Sequence, residues 1–341
     1  MKMNMLEWKN SILTSVNRNV MPVMTYPGLS LTGSSILEMV SNGKIQFECV
    51  KAITDRYPSL AASSLIMDLS VEAEAFGSKI KFSDNEIPTV SERLVDDFDN
   101  VKSLSAADFS TGRCAENIKA ARLASENINT HPVFAGTIGP YSLAGRLYDI
   151  TEFMTGILID PDGAHVLLSV CTDFLIQYIR EFKRAGANGV LIAEPAAGLL
   201  SPEQCDEFSS LYVKKIADAL QDETFLIILH NCGNTTNLVD SMVSTGCEGF
   251  HFGNAVKMTD ILPQVPTDKL VFGNLDPVSV FKNGSPEEIM AKTTDLLLKT
   301  SGYKNFVLSS GCDIPPGTPL ENTDAFFNTL DSYNRNKQMD L

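Results

Sequence analysis

The sequence predicts a single (β/α)8 barrel, an α/β TIM barrel with an N-terminal helical extension, running as one domain through residues 1–341. Three observations predict it. Eight short apolar runs alternate with helical stretches, the connections between them are short, and 341 residues suit one large barrel with no Pro- or Ser-rich linker dividing it.

The first residues, to about 13, read as a short helix. Lys2, Asn4, Glu7, Lys9 and Asn10 break it up, so it lacks the apolar core of a signal peptide. Val20, Met21, Pro22, Val23 and Met24 read as the first strand. The segment 28–34 has the glycine spacing of a phosphate loop but no Lys before Ser34, and reads as an ordinary turn. Helices follow over 35–42 and 44–57. The run 64–67 is the second strand and delivers Asp68 ahead of a helical stretch, 71–76. Asp68 is therefore either a helix N-cap or a site residue. Residues 79–90 read as a hairpin or an extended excursion.

The third strand, 132–136, opens into Thr137-Ile138-Gly139-Pro140. A long helix over 164–184 carries Val166, Val170, Phe174, Tyr178 and Phe182 at helical spacing, a core stripe that Gly186 stops. Strand four, 189–193, delivers Glu194. Ser201, Pro202 and Gln204 then announce a helix start with a capping box. Strands five, six and seven read over 226–229, 249–252 and 269–273, the last delivering Asn274 and Asp276. Ser285, Pro286 and Glu288 repeat the cap signature. Strand eight starts at Phe306 and ends at Cys312, and a last helix covers 322–334.

The chemistry concentrates after strand five. Leu226-Ile227-Ile228-Leu229 is apolar without alternation, as in a strand covered on both faces, and it runs into His230-Asn231-Cys232-Gly233. Strand eight has the same form and ends in Gly311-Cys312. In a parallel barrel the C-terminal ends of strands share one rim, so His230, Cys232 and Cys312 come together. One nitrogen and two thiolates form a zinc-like set with a fourth position left for a carboxylate, water or substrate. Glu194 is the first choice among carboxylates, as that ligand or as a group orienting His230. Asp68 is the next candidate for substrate contact, with Asn274 and Asp276 behind it. The competing reading is a core histidine with two buried cysteines. His251, alone in a Phe-flanked strand, reads as either a core or a site residue.

A net charge of −15 excludes the basic footprint of a nucleic-acid-binding protein. No apolar run approaches the roughly 18 residues of a membrane span. Seven scattered cysteines do not form the paired framework of a small secreted domain, which points to the reducing cytoplasm.

Five segments, taken in order, carry a resemblance over nearly the whole chain. They are Asp68 with Glu74-Ala75-Phe76-Gly77, Gly139-Pro140-Tyr141-Ser142-Leu143, Ala197-Gly198-Leu199-Leu200-Ser201-Pro202, Gly273-Asn274-Leu275-Asp276-Pro277, and Gly311-Cys312 with its Pro-rich loop. In them the chain resembles the uroporphyrinogen decarboxylase superfamily. It departs from the decarboxylases at their functional positions. The segment 25–30 lacks the arginines that hold an acidic tetrapyrrole, the active-site Tyr position is Arg146, and the C-terminal His position is Cys312. At these positions it resembles instead the cobamide-dependent branch, similar to methylcobamide:coenzyme M methyltransferases. That resemblance implies Zn2+ on His230, Cys232 and Cys312, and a methylcobamide donor presented by a separate small corrinoid protein. It also implies a small thiol as acceptor. Arg146, His251, Asn274 and Asp276 are the candidates for binding the corrinoid cofactor. The alternatives are a tetrapyrrole decarboxylase with unusual binding groups and a barrel that binds corrinoid without turnover.

Overall fold

The computed structural model describes residues 3–105 and 108–339. Its main sheet has seven parallel strands that neighbour each other in chain order: β1 (Ser63–Ser64), then β4 (Val133–Ile138), β5 (Gly189–Ala193), β6 (Leu226–Asn231), β7 (Gly249–Phe252), β8 (Leu270–Leu275) and β9 (Phe306–Ser310). Between β1 and β4 lies a separate antiparallel pair, β2 (Ile80–Lys81) with β3 (Thr89–Val90), at the predicted excursion. Helices follow the strands and pack outside the curled sheet, in the TIM-barrel manner.

Side chains on a strand alternate faces, and this alternation decides what enters the barrel. Leu226 and Ile228 of β6 belong to an inner cluster with Leu191, Phe272 and Val307, whereas Ile227 and Leu229 belong to the large cluster under the helices. Both faces of β6 are thus buried, as its unbroken apolar run requires. The same parity sends His230 inward after Leu226 and Ile228, and Ser309 inward after Val307. Pairing of β6 with β7 sets His230 opposite His251.

The predicted first strand differs. Residues 19–23 close the barrel, but only Val20 bridges, to Leu60 on one side and Leu308 on the other. Pro22 has no N–H to give a ladder, so the closure is completed by side chains. Ser310 Oγ accepts from Val23 N, and Ser309 Oγ donates to the Met21 carbonyl. The predicted second strand is likewise shorter: after β1 only Leu65 N still bonds across, to the Phe134 carbonyl. The predicted turn at 28–34 is instead a short helix, Gly28–Thr32, ended by Gly33 in the left-handed region (φ 74°).

The N-terminal extension is the helix Met5–Thr14, capped by Asn4. Trp8 donates its indole N–H to the Ala61 carbonyl and lies 5.6 Å from the Phe134 ring, so this helix covers the end of the barrel opposite the strand C-termini. Among the described residues, no helix is long and apolar enough to cross a membrane.

Candidate metal centre

His230 Nε2 or Nδ1 and the sulfurs of Cys232 and Cys312 lie within 4.8 Å of one another, the one such group of three among the described residues. Strand geometry brings them there. His230 is the inward residue near the end of β6, Cys232 follows at the turn, and Cys312 follows the end of β9. At position 253 a Cβ would stand 2.5 Å from Cys232 Cα, so glycine lets the end of β7 pass this turn.

A hydrogen-bond chain decides which histidine nitrogen is free. Ser309 Oγ spends its one hydrogen on the Met21 carbonyl at 2.7 Å, so it must accept from His251 Nε2–H at 2.9 Å. Burial holds His251 well below the usual imidazole pKa, with His230 adding to the effect, and it is neutral. Its Nδ1 is then a lone pair that accepts from His230 Nδ1–H at 2.8 Å. The His251 carbonyl, 3.3 Å from the same nitrogen, can only accept and requires the same assignment. His230 Nε2 is left as a bare lone pair, buried and without any partner. An unpaired buried acceptor is costly unless something binds it.

The two thiols complete the donor set. A hydrogen bond from the Cys312 thiol holds Cys232 below the ordinary thiol range, and the same contact with Cys232 pushes Cys312 up. The pair therefore shares a proton around one thiolate, as expected of ligands that a cation would finish deprotonating. Bare nitrogen, thiolate and thiol fit zinc, and these three residues would hold it.

The group forms the floor of a cavity of about 300 Å3. Met67, Leu69, Pro88 and Pro195 give it apolar walls, and Arg146, Tyr26 and Asp313 also line it. The β2–β3 excursion contributes Ile87, Pro88 and Thr89 to one wall. Asp313 had no sequence signal. Both of its carboxylate oxygens are buried without a partner, and burial pushes its pKa well above the usual carboxylate range.

Other residues singled out by sequence lie elsewhere. Glu194 does not complete the zinc-like set: it caps a helix. Its oxygens accept from Tyr141 N at 2.8 Å, Ser142 N at 2.9 Å and Ser142 Oγ at 2.7 Å, at the start of the helix Pro140–Tyr148. Pro140 opens that helix without a donor, so the carboxylate takes the next two N–H groups. A Cβ at Gly139 would stand 2.3 Å from Glu194 Cδ, so the cap needs glycine there. Burial still pushes Glu194 up to about 7 against these hydrogen bonds.

Asp68 is occupied too, accepting from Ser70 N and Oγ and pairing with the buried Arg113. Arg113 also holds Glu74 and stacks 4.9 Å from the Phe82 ring, so Asp68 anchors the excursion from outside the cavity lining. Asn274 donates to the carbonyls of Gly253 and Val256. Asp276 caps Val278 N and Ser279 N and accepts from Asn254. Neither lines the cavity; both shape loops beside it. His251 acts behind His230, and Arg146 reaches the cavity directly.

The profile of the uroporphyrinogen decarboxylase (URO-D) family matches residues 15–333. The chain belongs to that family. Among family relatives it is similar to two proteins named methylcobamide:CoM methyltransferase MtbA. The one from Methanosarcina acetivorans is 28% identical over 329 residues, covering 92% of this chain and 94% of the relative. The one from Methanosarcina mazei is 31% identical over 270 residues, covering 78% of each. In fold it matches a solved methyltransferase from M. mazei with a TM-score of 0.86 at 23% identity, over 98% of this chain and 99% of the other.

Proposed function

We propose that this URO-D family chain is a methyltransferase that moves a methyl group from a methylated corrinoid to a small thiol, at a zinc site made by His230, Cys232 and Cys312. The observation that carries the reading is the bare, buried Nε2 of His230 facing two cysteine sulfurs in the cavity floor. Similarity to proteins named for methylcobamide and CoM supports the donor and the thiol class.

Zinc bound there would supply the positive charge that lowers the pKa of a substrate thiol, ordinarily about 8.5, so that its proton is released to solvent and the sulfur stays a thiolate. The chain's own part is positional. His251 and Ser309 hold His230 in the ligating tautomer. Apolar walls from Met67, Leu69, Pro88 and Pro195 limit water around the thiolate, which strengthens its nucleophilicity. In the overall transfer the thiolate sulfur forms a bond to the methyl carbon. The carbon–cobalt bond breaks, and its electron pair leaves with cob(I)amide. The open side of the cavity would receive the corrinoid face, carried by a small partner protein in the cytoplasm.

A tetrapyrrole decarboxylase is the reading that the family name raises. It needs several cations around an acidic substrate, and among the described residues Arg146 is the one arginine or lysine lining this cavity. Zinc-loaded protein mixed with methylcobalamin and 2-mercaptoethanesulfonate tests the two. Loss of the methylcobalamin spectrum with appearance of the methyl thioether is expected. A stable spectrum, with uroporphyrinogen consumed instead, would reverse the assignment.

A further inference from the structure

The seven cysteines of the chain fall into two groups by their surroundings. Cys49, Cys114, Cys171, Cys205 and Cys247 are buried, and burial pushes each of these thiols above the ordinary range. Cys232 and Cys312 are partly exposed, and both line the open cavity, where a small oxidant dissolved in water can reach them. Their sulfurs lie within 4.8 Å of each other although the two residues follow different strands, β6 and β9. A disulfide needs a separation of about 2.05 Å, so its formation asks for an approach of less than about 3 Å. Both cysteines stand in turns beyond the last residue of their strands, so the turns can make this movement while the sheet keeps its ladder.

We propose that Cys232 and Cys312 are also an oxidation site: in the zinc-free chain a peroxide joins them in a disulfide, and the crosslinked chain no longer takes up zinc. The proposal rests on the zinc–thiol reading above and adds a control on the loading of that site. One sulfur of the pair, as thiolate, attacks a peroxide oxygen. The O–O bond breaks, the sulfur becomes a sulfenic acid, and hydroxide leaves. The second sulfur, giving up its proton, then displaces the hydroxyl; the S–S bond forms and water leaves, so two electrons pass from the pair to one peroxide. The same bond results whichever sulfur is oxidised first. A disulfide has no thiolate to offer, which leaves His230 Nε2 as the one strong donor of the trio, too little to hold zinc. Bound zinc engages the sulfur lone pairs that would attack the peroxide, so the loaded chain resists the reaction. Two molecules of a small thiol restore the pair by successive exchange and leave as their own disulfide. Loading of the site then follows the supply of reduced thiol, the class of molecule that the proposed reaction consumes.

The test needs no methyl transfer. Zinc uptake is first counted on the full reduced chain; the metal is then stripped with a chelator, and the chain is exposed to hydrogen peroxide. A chain lighter by two hydrogens is expected, with a digest fragment that joins Cys232 to Cys312. Zinc uptake should be lost with the crosslink and return after dithiothreitol, and the zinc-loaded chain should crosslink more slowly than the stripped one. Cys232→Ser should form no crosslink. Oxygen added to Cys232 or Cys312 of the unaltered chain without a crosslink would overturn the proposal. So would a crosslink through any of the five buried cysteines, or zinc uptake that the crosslink leaves intact. If the reduced chain takes up no zinc, the zinc–thiol reading fails and this proposal falls with it. A chain that takes up zinc and, once stripped, gives no crosslink marks the failure of this proposal alone.

Discussion

Cys312→Ala, prepared with excess zinc and then desalted, should keep little of the metal that the unaltered protein holds, and should lose methyl transfer by about a thousandfold. The size follows from what is removed. A Lewis acid contributes several kcal/mol of charge stabilisation to its nucleophile, and each 1.36 kcal/mol is about tenfold in rate. Without Cys312 the set falls to one nitrogen and one sulfur, too few to hold zinc in a half-open site. The fold should persist, since Cys312 lies beyond the end of β9 and outside the apolar clusters. Unchanged circular dichroism beside lost zinc is the required pair of observations. Full zinc occupancy in the variant would remove Cys312 from the site.

Ser309→Ala should weaken zinc by about 10- to 100-fold although the side chain touches no metal ligand. Without the hydroxyl, His251 Nε2–H has no acceptor, and only the longer contact of His230 Nδ1–H with the His251 carbonyl still favours the ligating tautomer. The other tautomer puts the proton on His251 Nδ1, which turns His230 Nδ1 into the acceptor and moves its proton to Nε2. That nitrogen then cannot ligate. Competition with a chromogenic chelator measures the shift. Ser309→Thr, which keeps the hydroxyl, should recover most of the affinity. Ser310→Ala is the control, because Ser310 Oγ accepts from Val23 N and has no part in the histidine chain. Equal zinc affinity in Ser309→Ala and the unaltered protein would exclude the tautomer chain from metal binding.

How far the sequence could be read follows from range. The inner strands and the trio His230, Cys232 and Cys312 were legible because each ligand sits at or just beyond the end of an apolar run, and parallel strands bring such ends to one rim. Glu194 shares that position, and only the N–H groups of Tyr141 and Ser142, more than fifty residues earlier, show that it caps a helix. Asp68 is similar: its partner Arg113 opens the helix Gly112–Asn127, a polar stretch without a strong apolar stripe. Ser309 lay in a strand that read simply as apolar, and its role needs the Met21 carbonyl from a segment nearly three hundred residues away. Pro22 was the available sign that the first strand could not form a full ladder. Asp313 stands in a Pro-rich loop, where an aspartate is usually exposed.

The most direct test is zinc-edge X-ray absorption of the purified protein, recorded with and without a saturating short thiol. Two sulfurs and one nitrogen from the chain are expected in the first shell, with a third sulfur after the thiol is added. Bound zinc with only oxygen and nitrogen neighbours, or a shell that the thiol leaves unchanged, would contradict a thiolate site on His230, Cys232 and Cys312.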